Sequence, residues 1–371
     1  MLPKRRNALR NRLVASAILL GLTVLLAAAV RGVPSFTQSV YLPFSRTVSG
    51  WLGVLFSFTS YAAAEILLLL AGAGGLYALL RSIVRSVRAR SARPLALWGS
   101  GVLLCAAAAA FAFMLLWGGA YSAEKAETRL GFQTDRHGED VLHRATLRYM
   151  EDVIRYAALA PRNTDGKVDA GGFDALAPEA ARTVKALMEQ NPSLLGRAAA
   201  PPPKRALFYP IMGMLGISGI YSPFTGEAIV STIGTDPFQP SVMTHEMAHR
   251  LGFAAEDDAN FIAYLACMAS ENPVFRYSGA LMAFSYCYNA MTDPGYIADI
   301  GAAMRADAAD ALEDYSRNRA EWDRYDGPLR EAAETVNNTY LQAMGQEDGV
   351  KSYGRVVDLL IALYIYEHDN K

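Results

Sequence analysis

The sequence predicts a mainly α chain in two parts. A three-helix transmembrane anchor over residues 1–117 precedes an α-rich α+β domain over residues 118–371, with a short sheet edge before its central helix. Three observations lead there. Long apolar stretches crowd the first third of the chain, basic and acidic residues divide unevenly between the two parts, and the second part shows helical patterning broken by one β-branched run.

Leu13–Val30 is an apolar stretch of 18 residues without a charge, flanked by Arg12 and Arg31, which meets the lower limit for a spanning helix. A cleaved signal peptide competes, with Ala27-Ala28-Ala29 as its processing site. The stretch is long for that role, and a retained anchor is preferred. Tyr61–Leu80 is the second span, interrupted only by Glu65, an acid near the outer end that reads as snorkelling to the interface. Leu95–Trp117 is the third, uncharged throughout. Thr47–Phe58 is apolar but too short to cross alone; it is expected to lie in the interface or to extend the second span.

Charge sets the expected orientation. Lys4, Arg5, Arg6, Arg10 and Arg12 precede the first span, and Arg81, Arg85, Arg88, Arg90 and Arg93 lie between the second and third. Keeping both clusters cytoplasmic places everything after Trp117 outside, as a multi-pass protein of the cell membrane. Residues 1–117 hold 12 of the 35 Lys/Arg and one of the 36 acids, leaving 23 bases against 35 acids beyond, a net of −12. That acidity argues against a nucleic-acid partner.

In the outer part, Arg144–Leu159 and Pro178–Glu189 read as helices around an Asn163–Gly172 loop, and Ala198–Pro203 as a linker into strands and turns between Phe208 and Gly234. Ala228–Ile233, bounded by Gly226 and Gly234, is the predicted strand. Its free edge would suit an extended substrate, with an ordinary structural strand as the equal alternative. Arg355–Glu367 reads as a core helix, too short and too charged at Asp358 for a fourth span. Cys267 and Cys287 fall on neighbouring helices where a disulfide is permitted, and free buried thiols are the preferred reading.

The most informative segment is His245-Glu246-Met247-Ala248-His249, inside a helix expected over Ser241–Leu251 with Ser241 as its cap and Gly252 as its stop. Residues i and i+4 lie about 40° apart round a helix and about 6 Å along it, so both imidazoles reach one Zn²⁺ at about 2.0–2.1 Å. Glu246 stands beside them as a base for an activated water, the H-E-x-x-H pattern of zinc hydrolases. His137, His143 and His368 lack this spacing and read as surface groups. A catalytic zinc takes a third protein ligand, for which Glu256 is the first choice and Asp257 the second. Asn260, one turn after Glu256, would orient a ligand, while helix capping is the alternative use of these acids.

Glu256-Asp257-Asp258-Ala259-Asn260 is similar to the Glu-x-x-Ala-Asp element of gluzincin metallopeptidases, whose glutamate is the third zinc ligand. Asn260 stands where those enzymes carry aspartate. More closely, the chain resembles DUF3810, a family of bacterial membrane proteins of unknown function. The resemblance runs through Tyr221–Ala228, His245–Leu265, Arg276–Gly279 and Gly345–Gly354, over nearly the full length. It implies a metallopeptidase-like protein and brings no substrate with it.

The expectation is therefore a zincin-like metallopeptidase domain outside the cytoplasm, hydrolysing a peptide or protein substrate. His245, His249 and Glu256 would hold Zn²⁺, and Glu246 would act as general base and return the proton to the leaving amine. Tyr277, Arg276 and Tyr353 are candidate oxyanion donors on side-chain type alone. The rival is a non-catalytic membrane binding or scaffold protein with a structural or vestigial metal. A narrower option is a zinc hydrolase of non-peptide amides. Glu246 favours an enzyme, because a structural site needs no base.

Overall fold

A computed structural model describes residues 3–132, 134, 137–344 and 353–369. The chain opens with α1 (Pro3–Gly32), a short α2 (Pro34–Phe36), a π-helical turn over Thr37–Tyr41, α3 (Leu42–Leu55), α4 (Ala63–Ala89) and α5 (Arg93–Leu116). Leu- and Ala-rich sequence favours these helices, and Pro34, Pro43 and Pro94 sit in first turns, where proline's missing N–H costs nothing. Asn7–Gly32, Ala63–Ala89 and Arg93–Leu116 are each long and apolar enough to cross a membrane. α5 packs between α1 and α4.

The following domain holds α6 (Ala126–Leu130), α7 (Glu139–Leu159), α8 (Gly172–Gln190), α9 (Pro192–Leu195), β1 (Lys204–Arg205), α10 (Tyr209–Met214), β2 (Gly219–Ser222) and β3 (Glu227–Val230). Helices then run to the end as α11 (Gln239–Arg250), α12 (Glu256–Ala269), α13 (Pro273–Ala290), α14 (Pro294–Asp307), α15 (Ala309–Asp323), α16 (Pro328–Ala343) and α17 (Tyr353–Asp369). Among the described residues the protein is thus mainly helical with one small sheet. Met243 and Met247 of α11, Phe261 of α12, and Phe275, Tyr277 and Leu281 of α13 are fully buried at its centre. Each such apolar side chain contributes about 1.5–3 kcal/mol relative to exposure. α17 joins this core through Val356, Val357, Leu359 and Leu360, as its apolar pattern predicts.

The sheet order is β1-β3-β2, with β1 parallel and β2 antiparallel to β3. The predicted strand is shorter than expected, ending at Val230, and it is the central one, so the free edge belongs to β2. Beyond Val230 the chain bends, because the Ser231 hydroxyl accepts from the Ile233 N–H and Gln239 donates to the Ile233 carbonyl. Ala228 and Val230 on one face pack with Met243 and Met247 of α11, whereas Ile229 on the other packs with Ala62, Ala206 and Met212.

Residues 33–62 are built into this domain. Arg205 donates its N–H to Ser60 and accepts from Ala62 through its carbonyl, which continues the sheet's hydrogen bonding to the threshold of α4. The buried Glu227 carboxylate accepts from the Ala63 and Ala64 N–H groups at 3.0 and 2.9 Å, capping α4 where its dipole favours an anion. In return Glu65 accepts from the backbone N–H groups of Leu207 and Phe208. Glu65 therefore does not snorkel to the interface; two backbone donors left after β1 hold it.

Two helix starts also differ from expectation. α7 begins at Glu139 and α8 at Gly172, with Pro178 inside the latter. Asp236, distant in sequence, accepts from the Ala170 and Gly172 N–H groups and so fixes the start of α8. Cys267 and Cys287 are buried free thiols. His143 is part-buried, pairing with Asp299 at 2.8 Å and stacking on Tyr296.

The tightest joint is the β2–β3 turn. Gly226 has φ +64°, and a Cβ there would stand 2.1 Å from the Ser49 carbonyl oxygen of α3. Gly226→Ala is expected to destabilise the full chain by about 2–4 kcal/mol from left-handed strain plus overpacking. Thermal unfolding in detergent measures this, and an unchanged midpoint would show that α3 is not docked as described.

Candidate metal centre

α11 starts two residues before the expected Ser241, at Gln239, because Pro240 suits the first turn. Ser241 is not its cap. The Ser241 N–H donates to the Ser278 hydroxyl, and the Ser241 hydroxyl donates to the Phe238 carbonyl. The far end stops as the sequence suggests. Gly252 at φ +82° donates to His249 O, and Phe253 donates to Ala248 O, closing a Schellman motif. The Arg46 guanidinium of α3 donates to the Leu251 carbonyl at this end.

That reversal has a chemical consequence. It returns the Phe253 carbonyl to His249, whose Nδ1 meets it at 2.7 Å. Nδ1–H is thereby the donor, and Nε2 keeps a free lone pair. Gly252 also lets Glu256, at the head of α12, fold back over the two histidines. Glu256 Oε2 lies 3.2 Å from His245 Nε2, and Oε1 lies 3.6 Å from His249 Nε2. The three residues offer ligand atoms within 4.8 Å of one another. A tetrahedral Zn²⁺ with bonds of about 2.0–2.1 Å separates its ligand atoms by about 3.3 Å, so this donor set fits the ion. Among the described residues no fourth His, Cys, Asp or Glu joins them, which leaves a position open.

The charges point the same way. Burial opposes a proton on His245, but the hydrogen bond and charge of Glu256, aided by Glu246 and Asn260, outweigh it and push the imidazole up to about 9. Burial likewise opposes ionisation of Glu256, yet His249 and His245 hold its carboxyl down at about 2. His249 is pushed down to about 4 by burial, despite Glu256, and so stays neutral. The cluster thus retains one positive charge, a proton, where a cation would sit. His245 Nδ1 is buried and, among the described residues, has no hydrogen-bond partner of normal geometry.

Glu246 is buried, and its Oε2 has no hydrogen-bond partner among the described residues. Burial, joined by the Glu256 charge and against that of His245, pushes it up to about 8. It packs on Gly219 at the start of β2, where a Cβ would come 2.5 Å from Oε1. The strand therefore passes directly over the carboxylate. The pairing register turns the backbone groups of Gly219 and Tyr221 away from β3, toward the free edge.

Other sequence candidates fall elsewhere. Asp257 pairs with Arg355 of α17 at 3.2 Å rather than with the histidines. Tyr277 is fully buried and donates to Asp314, itself paired with Arg162. Arg276 donates to the Ser270 carbonyl and lies over the Tyr156 ring. The Tyr353 side chain, and most of the Gly345–Gly354 segment, lie outside the described residues. The fold supplies neighbours that spacing did not reveal. Trp117, at the end of α5, meets the His249 ring edge-on at 5.6 Å and Tyr221 at 4.9 Å. Tyr121 packs on Trp117, shares a 3.1 Å hydrogen bond with Tyr340, and feels the charge of Glu256. A tryptophan ending a span reads simply as an interfacial anchor, so no sequence signal marked these contacts.

Fold and cluster together define a helical protein with three helices fit to cross a membrane and a three-donor His/Glu group on consecutive helices. The chain belongs to the family described as protein of unknown function (DUF3810), whose model matches residues 36–361 and so runs from the last residue of α2 to the middle of α17. No curated protein and no solved structure matches it.

Proposed function

We propose that this chain is a membrane-anchored zinc metallopeptidase working outside the cytoplasm. The observation that carries the reading is the convergence of His245, His249 and Glu256 beside a buried, partly unsatisfied Glu246. Zn²⁺ bound there would polarise a substrate carbonyl and acidify a water. Glu246 would take that water's proton and hand it to the leaving amine. A nearby cation supports the role by drawing the Glu246 carboxyl back down into its ionised form. The free edge of β2 would hold an extended peptide through the Gly219 and Tyr221 backbone, across Glu246. Tyr121, which feels the charge of Glu256 and shares with Tyr340 a hydrogen bond that either hydroxyl can donate, would replace Tyr277, whose proton is committed to Asp314, as donor to the developing oxyanion. The positive-inside bias supports the orientation.

The test is metal analysis of the full chain purified in detergent, with one zinc per chain expected. Absence of stoichiometric metal after zinc loading would remove the reading. Proton release gives a second check. His245 holds a proton up to about pH 9 in the metal-free centre, and a ligand must be neutral. Zinc uptake at pH 7 should therefore release that proton together with the one that Glu246 holds below about pH 8, and apparent affinity should rise by more than about tenfold per pH unit up to pH 8 and by about tenfold from there toward pH 9. Calorimetry in buffers of different ionisation enthalpy measures it, and uptake without proton release would contradict the site.

A further inference from the structure

α3 is amphipathic in the opposite sense to a helix on a water-facing surface. Apart from Leu42 at its start, its buried side carries Ser45, Arg46, Ser49, Gly50 and Gly53. Its exposed side carries Phe44, Trp51 and Leu55, residues at i, i+7 and i+11 that share one face, with Trp51 69% exposed. Phe58, just beyond the helix, is 78% exposed. In water the large apolar groups would turn inward and the serines outward. Sequence position explains the inversion, because α3 lies between the outer ends of two candidate spans, α1 and α4.

The outer domain continues this surface. α10 follows Leu207 and Phe208, whose N–H groups are held by Glu65 in the first turn of α4, so α10 begins level with the end of that span. It exposes Ile211 (54%) outward. Ile220 of β2 is opposite Ile229, on the sheet face packed against Ala62 and Met212, the face turned toward α4. It is 51% exposed. The strand over Glu246 thus presents an apolar side chain on the side where the spans enter, and Trp117 places the end of α5 against His249.

We infer that the exposed faces of α3 and α10 and the Ile220 side of β2 are sunk in the outer leaflet of the bilayer. The centre beside β2 then takes its substrate at the membrane surface. The occupant of this apolar face is lipid: the face is continuous with the three spans, and an aromatic belt of this kind suits the headgroup boundary. A contiguous exposed apolar face marks a surface covered by lipid or by a partner, and continuity with the spans favours lipid. For the proposed peptidase, the substrate class is an extended peptide anchored in the same bilayer. Only this last statement rests on the metallopeptidase reading, and the choice of the outer leaflet rests on the positive-inside orientation proposed above.

Nitroxide labels at Leu55→Cys, Ile211→Cys and Ile220→Cys in the full chain, with Cys105→Ala and reconstituted into phosphatidylcholine–phosphatidylglycerol vesicles, test the contact. Cys267 and Cys287 are buried, and Arg319→Cys, at a position where the arginine side chain is 83% exposed, serves as the aqueous reference. All three labels should relax more with oxygen than with a water-soluble nickel chelate, and Arg319→Cys should do the reverse. Labels open to the chelate would overturn the inference, as would labels shielded from both reagents, which would mean a protein covers the face. These outcomes hold with or without zinc or activity. A second arm compares one peptide sequence free, acylated, or fused to a spanning helix. Both anchored forms should be cut about 100-fold faster or more, from effective concentration. Lipid contact without that preference would overturn the substrate class alone. Gain for only one form would identify which anchor the site accepts.

Discussion

Glu256→Ala, measured as zinc per full-length chain, should lose stoichiometric metal, while Asp257→Ala should keep it. The two acids are neighbours at the head of α12, but their carboxylates go to different places. Glu256 bridges both histidines at 3.2 and 3.6 Å, whereas Asp257 is drawn to Arg355 of α17. Changing a group that only supports a ligand costs about 10–100-fold in metal affinity, so deleting the ligand itself should exceed about 100-fold. His245→Ala should match Glu256→Ala. Asp257→Ala strips Arg355 of one acid and should lower the unfolding midpoint without lowering metal content. Zinc lost from Asp257→Ala but kept in Glu256→Ala would reverse the assignment of the third ligand.

Glu246→Gln should retain full zinc and lose hydrolysis by about 10²–10⁴-fold, the range for removing a positioned general base. The amide preserves the volume packed against Gly219. Stability should hold as well. Burial pushes the Glu246 carboxyl up to about 8, so the metal-free centre already holds it neutral at pH 7, and an amide adds no desolvation cost. Zinc content, unfolding midpoint and turnover of a peptide library, measured on one preparation, separate the outcomes. Activity left intact in this variant would take the base role away from Glu246.

Glu246 and Glu256 were both legible in the sequence, with Asp257 as the second choice for the third ligand. The His245/Glu246/His249 set, the Gly252 stop and Glu256 are local. A helical period, one residue that tolerates positive φ, and an acid at the next helix start act within about four helical turns. Helix existence was equally local for the three apolar spans and for α17. Starts and ends were less so. Asp236 fixes the start of α8 from far along the chain, and Glu227 caps α4 from the first residue of β3. Each is a carboxylate meeting orphan N–H groups of a distant helix, which no local pattern encodes. Two of the three oxyanion candidates chosen by side-chain type sit in other contacts for a related reason. Tyr277 and Arg276 already have partners, and a group committed to Asp314 or to a buried carbonyl is not free for chemistry.

By itself the sequence determined the donors: which helix carries two imidazoles on one face, which turn reverses after them, which acid follows, and which stretches can enter a bilayer. These are matters of period and composition, set by residues a few positions apart. Only the tertiary structure decided what surrounds the donors. It moved the free edge from β3 to β2, laid Gly219 over Glu246, set Trp117 against His249, and turned the apolar face of α3 outward. Those contacts join segments far apart in the chain, and their geometry follows from how helices and strands pack around a shared core.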